Sequence, residues 1–107
     1  MSERVHAHVA AFNDTVASGE WETFSERFAD DATLAFEGLP VGPFTGRPAI
    51  AAAYAAQPPT DTMTVVGVDS EGDRDTVRFA WSAGGTGTMR ITWRGGAIAA
   101  LRVSFSG

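Results

Sequence analysis

Few side chains in this sequence could carry proton chemistry, and they are scattered. The chain has one tyrosine, Tyr54, and two histidines, His6 and His8; the carboxylates worth weighing are Asp14, Glu37 and the pair Asp30-Asp31. A phenol can donate to a developing oxyanion while a nearby carboxylate takes a proton, so Tyr54 with Asp14 or Glu37 is the candidate catalytic set. Asn13 and Thr33 are the other polar groups near it in sequence.

Each of these groups also has a plainer role. Strand alternation turns Glu37 away from Leu34 and Phe36, which makes it an exposed strand-end carboxylate. Asp30-Asp31 suits the N–H groups of a turn at a helix-to-strand junction. His6 and His8 are two residues apart, so on a helix they point to nearly opposite sides, unlike the i,i+4 pair of a helical zinc site. No metal site is expected. Gly84-Gly85-Thr86-Gly87 has neither the lysine nor the strand-to-helix context of a phosphate loop and reads as a turn. The chain has no cysteine, which excludes thiol nucleophiles and thiolate metal sites, and no cofactor is expected. From Thr76 to Gly107 there is no Asp, Glu or His, so the C-terminal strands supply no proton carrier.

Those groups must be held by a frame, and hydrophobic spacing outlines it. Val5, Val9, Phe12 and Val16 form one helical stripe, which Ser2 can cap and Gly19 can end. Trp21, Phe24 and Phe28 repeat at three and four residues and predict a second, shorter helix. Thr33 to Glu37 reads as a strand, and Gly38 to Gly46 as a loop. A third helix starts near Arg47-Pro48 and ends at Pro58-Pro59. The period then changes to two, which predicts strands over 62–69, 75–83, 86–94 and 97–105, the last three forming a meander through Gly84-Gly85 and Gly95-Gly96. The expected fold is one α+β domain over residues 1–107, a cone-shaped, curved antiparallel sheet wrapped around three helices.

Alternation places Val77, Phe79 and Trp81, then Met89, Ile91 and Trp93, then Leu101, Val103 and Phe105 on one sheet face. The other face carries Arg78, Arg90, Thr92, Arg94, Arg102 and Ser104, and reads as a solvated surface, an anion patch or the interface of a homodimer. Three helices are not expected to fill so aromatic and curved an inner face, which predicts a cavity for a small hydrophobic molecule. The sheet residues assigned to it are Phe79, Trp81, Met89, Ile91 and Trp93. Facing them are Phe12, Phe28, Leu34, Phe36, Phe44 and Tyr54.

Composition narrows the alternatives. With 107 residues, 44% of them hydrophobic and 20% charged, the chain can bury one core without disulfides. A formal charge of −5 disfavours nucleic acid, whose phosphates need a basic surface. No stretch approaches the length of a membrane span, and the N-terminus is amphipathic, so a cytoplasmic protein is expected.

The string Phe28-Ala29-Asp30-Asp31-Ala32-Thr33, followed by Phe44-Thr45-Gly46-Arg47-Pro48-Ala49-Ile50 and Tyr54, resembles the nuclear transport factor 2-like superfamily. That superfamily includes the SnoaL-like polyketide cyclases and the steroid Δ-isomerases, and the likeness runs over nearly the whole chain. It implies the cone-shaped cystatin-like fold and a pocket in which the isomerase base would fall at Phe36, its phenol at Phe12 and its acid donor at Met89. None of those side chains can exchange a proton. The resemblance also matches Tyr54 to a tyrosine that often lines such pockets. The first functional reading is therefore a binder of a small apolar molecule. The second is a cyclase or isomerase of polyketide-like or steroid-like compounds using Tyr54 with Asp14 or Glu37, and the third is a dimeric structural or regulatory module.

Overall fold

The computed structural model describes residues 3–106, so the Ser2 cap lies outside the described residues. Helix α1 (Glu3–Ser18) buries Val5, His8, Val9, Phe12 and Thr15 along one stripe. Gly19 closes it at φ 77°, donating its N–H to the Thr15 carbonyl at 2.7 Å.

Helix α2 (Trp21–Ser25) is shorter than its spacing predicts, for Phe28 opens strand β1 (Phe28–Glu37) instead of extending the helix. The reason lies elsewhere in the chain. Phe28 pairs with Ile98, the Ile98 N–H donates to the Arg27 carbonyl at 3.0 Å, and Arg47 donates to the Phe28 carbonyl at 2.9 Å. Phe28, Ala32 and Leu34 are buried along this strand, whose register against β6 shifts between Phe28 and Thr33. Asp30 and Asp31 consequently lie within a strand and not at a turn, and their carboxylates pair with Arg47 at 3.1 Å and with Arg94.

The loop after β1 contains a two-residue strand that periodicity is too short to reveal, β2 (Phe44–Thr45), antiparallel to β1. Helix α3 (Arg47–Ala56) follows with proline in its first turn and buries Ile50 and Tyr54. Strands β3 (Met63–Glu71), β4 (Arg74–Trp81), β5 (Thr86–Arg94) and β6 (Ala97–Ser106) form a meander, within a residue or two of the predicted bounds. The sheet order is β2-β1-β6-β5-β4-β3.

The sheet is not wholly antiparallel, because β1 and β6 run parallel with Leu34 opposite Leu101 and Phe36 opposite Val103. Parallel neighbours need a long connection, and these two are joined by a helix and four strands. Further register shifts at Val65/Gly67 and Thr92/Trp93 bend the ladder. A Cβ on Gly87 would lie 2.6 Å from the Phe79 ring and 2.8 Å from the Ser104 carbonyl, so glycine there lets Phe79 lie across the neighbouring strand.

On the outer face Arg78 bonds Asp69 at 2.8 Å, Arg102 bonds Glu37 at 3.0 Å and Arg94 bonds Asp31. Much of that cationic stripe is thus balanced by carboxylates from the same sheet. Among the described residues no helix is long and apolar enough to cross a membrane.

Candidate functional site

The inner face of the sheet is filled at one end and hollow at the other. At the filled end Val77, Ile91, Trp93 and Ile98 are buried together with Asp75, which Arg4 of α1 bonds at 2.7 Å. At the other end a cavity of about 400 Å³ opens between α1, α3 and strands β1, β4, β5 and β6.

Of the residues assigned to a pocket from sequence, Phe12, Leu34, Phe36, Phe44, Tyr54, Trp81 and Met89 line this cavity. Phe28, Phe79, Ile91 and Trp93 do not. Phe28 and Phe79 are wholly buried, the first edge-on to Phe24 at 6.0 Å and the second edge-on to Trp81 at 5.1 Å. Ile91 and Trp93 lie further along β5 than Met89, in the part of the cone that the helices close. Alternation assigns a residue to a face, but it does not say how far along the strand the helices reach.

The wall also includes Leu101 and Val103, and Met63 at the start of β3. Leu39, Val41 and Phe105 form an apolar mouth, each between 43% and 47% exposed. Phe36 stacks on Phe105 at 6.5 Å and meets Phe44 edge-on at the same distance. Leu39 and Val41 carried no periodic signal because they sit in a loop. His8 is the notable omission among the wall residues. It lies three residues after Val5 and four before Phe12, on the same stripe, so the spacing alone could have found it.

The catalytic candidates are not brought together. Tyr54 lines the cavity, stacked on Trp21 at 4.9 Å and edge-on to Phe24 at 5.5 Å, and burial pushes its phenol well above the usual tyrosine range. Asp14 is exposed on α1, while Glu37 is exposed on the outer face, where it accepts from Arg102. Thr33 is also exposed. No described carboxylate reaches the cavity wall. Phe12, Phe36 and Met89, where the resemblance placed the isomerase groups, all line the cavity, and none of the three can exchange a proton.

The histidines separate as their spacing requires: His6 is exposed and His8 is 2% exposed. The His8 ring rests on Phe24 at 5.4 Å, and its Nδ1 has no hydrogen-bond partner. Burial, reinforced by the charge of Arg27, lowers its pKa to about 3. The imidazole is therefore neutral, and too weakly basic to serve as an efficient proton acceptor near pH 7.

Asn13, weighed as a polar pocket group, has a structural task. Its amide donates to the Met63 carbonyl and accepts from the Met63 N–H, both at 2.9 Å, and so fastens α1 to the start of β3. Asn13→Ala leaves both backbone groups of a buried residue unpaired. We expect a loss of about 1–2 kcal/mol, read as a lower urea midpoint at unchanged slope.

A cone of sheet around three helices with a one-ended apolar cavity defines the nuclear transport factor 2-like class of fold. Within it, residues 9–103 match the SnoaL-like domain, and the chain belongs to that family. A SnoaL-like protein of unknown function from Burkholderia thailandensis superposes with a TM-score of 0.78 at 10% identity, covering 100% of this chain and 98% of that one. A candidate polyketide cyclase from Sinorhizobium meliloti gives 0.70 at 24% identity, covering 91% and 93%. A candidate ketosteroid isomerase from Kribbella flavida gives 0.70 at 19% identity, covering 98% and 79%. At such identities the likeness is one of fold. No curated protein matches the sequence closely enough to lend it a function.

Proposed function

We propose that this protein binds a small apolar molecule in the cavity and holds it without acid–base chemistry from carboxylates. The observation that carries this reading is the wall itself: about 400 Å³ enclosed mainly by Phe, Leu, Val, Met and Trp side chains, a volume within the range of small-molecule sites. Removing apolar ligand surface from water favours binding by roughly 25 cal/mol per Å² before the cost of association. The apolar residues Phe12, Phe36 and Met89, where the resemblance would put the isomerase groups, support the same reading.

Phe36→Asp tests it. Phe36 is half-buried near the mouth, so the substitution places a charge beside the ligand path without opening the filled end of the core. A neutral hydrophobic dye such as Nile red should bind the native protein and bind the variant at least about tenfold more weakly, equivalent to roughly 1.4 kcal/mol. Circular dichroism should show the fold retained. Equal dye binding by a folded variant would refute the proposal.

A further inference from the structure

The outer face of the sheet gathers four of the chain's eight basic residues: Arg74 and Arg78 on β4, Arg90 on β5 and Arg102 on β6. The ladder sets them around Arg90. Arg102 stands directly opposite it on β6, and Arg74 and Arg78 lie two residues either side of Thr76, its partner on β4. Two of the four are drawn off sideways. Arg102 bonds Glu37 at 3.0 Å, and Arg78 bonds Asp69 at 2.8 Å, lying flat over β3 where a Cβ on Gly67 would collide with its guanidinium. Arg74 and Arg90 are exposed, and no described carboxylate pairs with either, although Glu71 stands opposite Arg74 in the ladder. Like charges directly opposite each other on a sheet are unfavourable, and nothing described in the protein offsets this at Arg90. Thr76, Thr88, Thr92 and Ser104 around it are half-buried, so the arginines stand above a low, flat floor.

We propose that the centre of this face docks an acidic protein segment, an extended stretch that presents carboxylates at alternate positions to Arg90 and Arg74. The spacing fits. Diagonal positions on neighbouring strands lie roughly 7–8 Å apart, and side chains two residues apart on an extended chain project from one side at about 7 Å. Each guanidinium can receive a carboxylate through two parallel N–H donors. None of the four arginines lines a described cavity, and an open sheet surface suits a protein segment better than a small anion, which is held in concave sites. Asp69 and Glu71 rim the centre on one side and Glu37 on the other, and the chain carries a formal charge of −5. That arrangement admits a short acidic stretch but repels a long polyphosphate. A second copy packed on the same face would bring arginine against arginine. The cavity lies on the opposite side of the sheet, so the two sites are separate.

Fluorescence anisotropy at low ionic strength tests the proposal, with a fluorescein-labelled octapeptide of alternating glutamate and threonine as the probe. The native protein should bind it, more weakly as salt is raised, and should bind less well a peptide of the same composition with its glutamates in one block. Arg90→Gln should weaken binding about fivefold and Arg90→Glu at least about tenfold, while Arg90→Lys keeps most of it. Arg90→Gln should unfold at the native urea midpoint or slightly above it; a lower midpoint would give Arg90 a structural task and overturn the premise. No binding by the native protein, or native-like binding by Arg90→Glu, overturns the proposal. Tighter binding of an oligothymidylate than of the peptide would assign the face to nucleic acid instead. A doubled mass by light scattering that Arg90→Glu abolishes would assign it to a second copy, and either result also overturns the proposal.

Discussion

Acidification from pH 7 to pH 4 is expected to weaken the folded state by about 3 kcal/mol through His8 alone. The folded pKa is about 3 against an ordinary 6.5, because burial and then the Arg27 charge disfavour the imidazolium. Between those two values the unfolded chain binds a proton that the folded chain refuses. The stabilisation is complete above pH 6.5 and is lost steadily as the pH falls towards 3. Urea denaturation at pH 7 and pH 4 measures it, and His8→Phe should remove most of the difference. Parallel pH profiles for the native protein and the variant would show that the ring protonates freely in the folded state.

A comparable loss is expected at the filled end of the cone. Asp75 is 1% exposed and accepts from Arg4 Nε at 2.7 Å and from the Trp93 indole N–H at 2.9 Å, while the Arg4 guanidinium also lies over the Trp93 ring at 5.3 Å. One carboxylate thus ties the first turn of α1 to β4 and β5. Asp75→Ala leaves the buried indole N–H unpaired and Arg4 without its partner, for an expected loss of about 3 kcal/mol. Burial pushes this carboxyl up, but the hydrogen bonds from Arg4, Ser70 and Trp93 outweigh it and hold its pKa below 3.8. Its contribution is therefore whole above the ordinary carboxylate range and disappears only as the pH falls through the lowered value, below most of the His8 window. Because Asp75 lies outside the cavity wall, dye affinity should be unchanged at temperatures where the variant stays folded. A coupled loss of dye binding would show that the two ends of the cone do not behave independently.

The meander was legible because its strands are eight to ten residues long, run between glycine-bearing turns and alternate over much of their length. That is enough repeats to assign a face and nearly enough to assign bounds. Phe28 was misassigned because spacings of three and four residues describe an amphipathic helix equally well whether or not the last residue belongs to it. The pairing with Ile98, seventy positions away, decided the matter. Asp75 carried no warning in the sequence, since an acidic residue at a strand start normally faces water. Its burial depends on Arg4 and Trp93 arriving from other elements. Glu37 behaved as its alternation required, turning outward to Arg102.

Local pattern by itself determined the order of elements apart from the two-residue β2, and the greasy face of the sheet. Periodicity records which side of an element is buried, and that information lies in neighbouring residues. Tertiary structure decided the parallel pairing of β1 with β6, the depth to which the helices fill the cone, and the placing of His8 and Tyr54 together against Phe24. Those outcomes depend on distances between segments remote in the chain, which hydrophobic spacing within a segment does not encode.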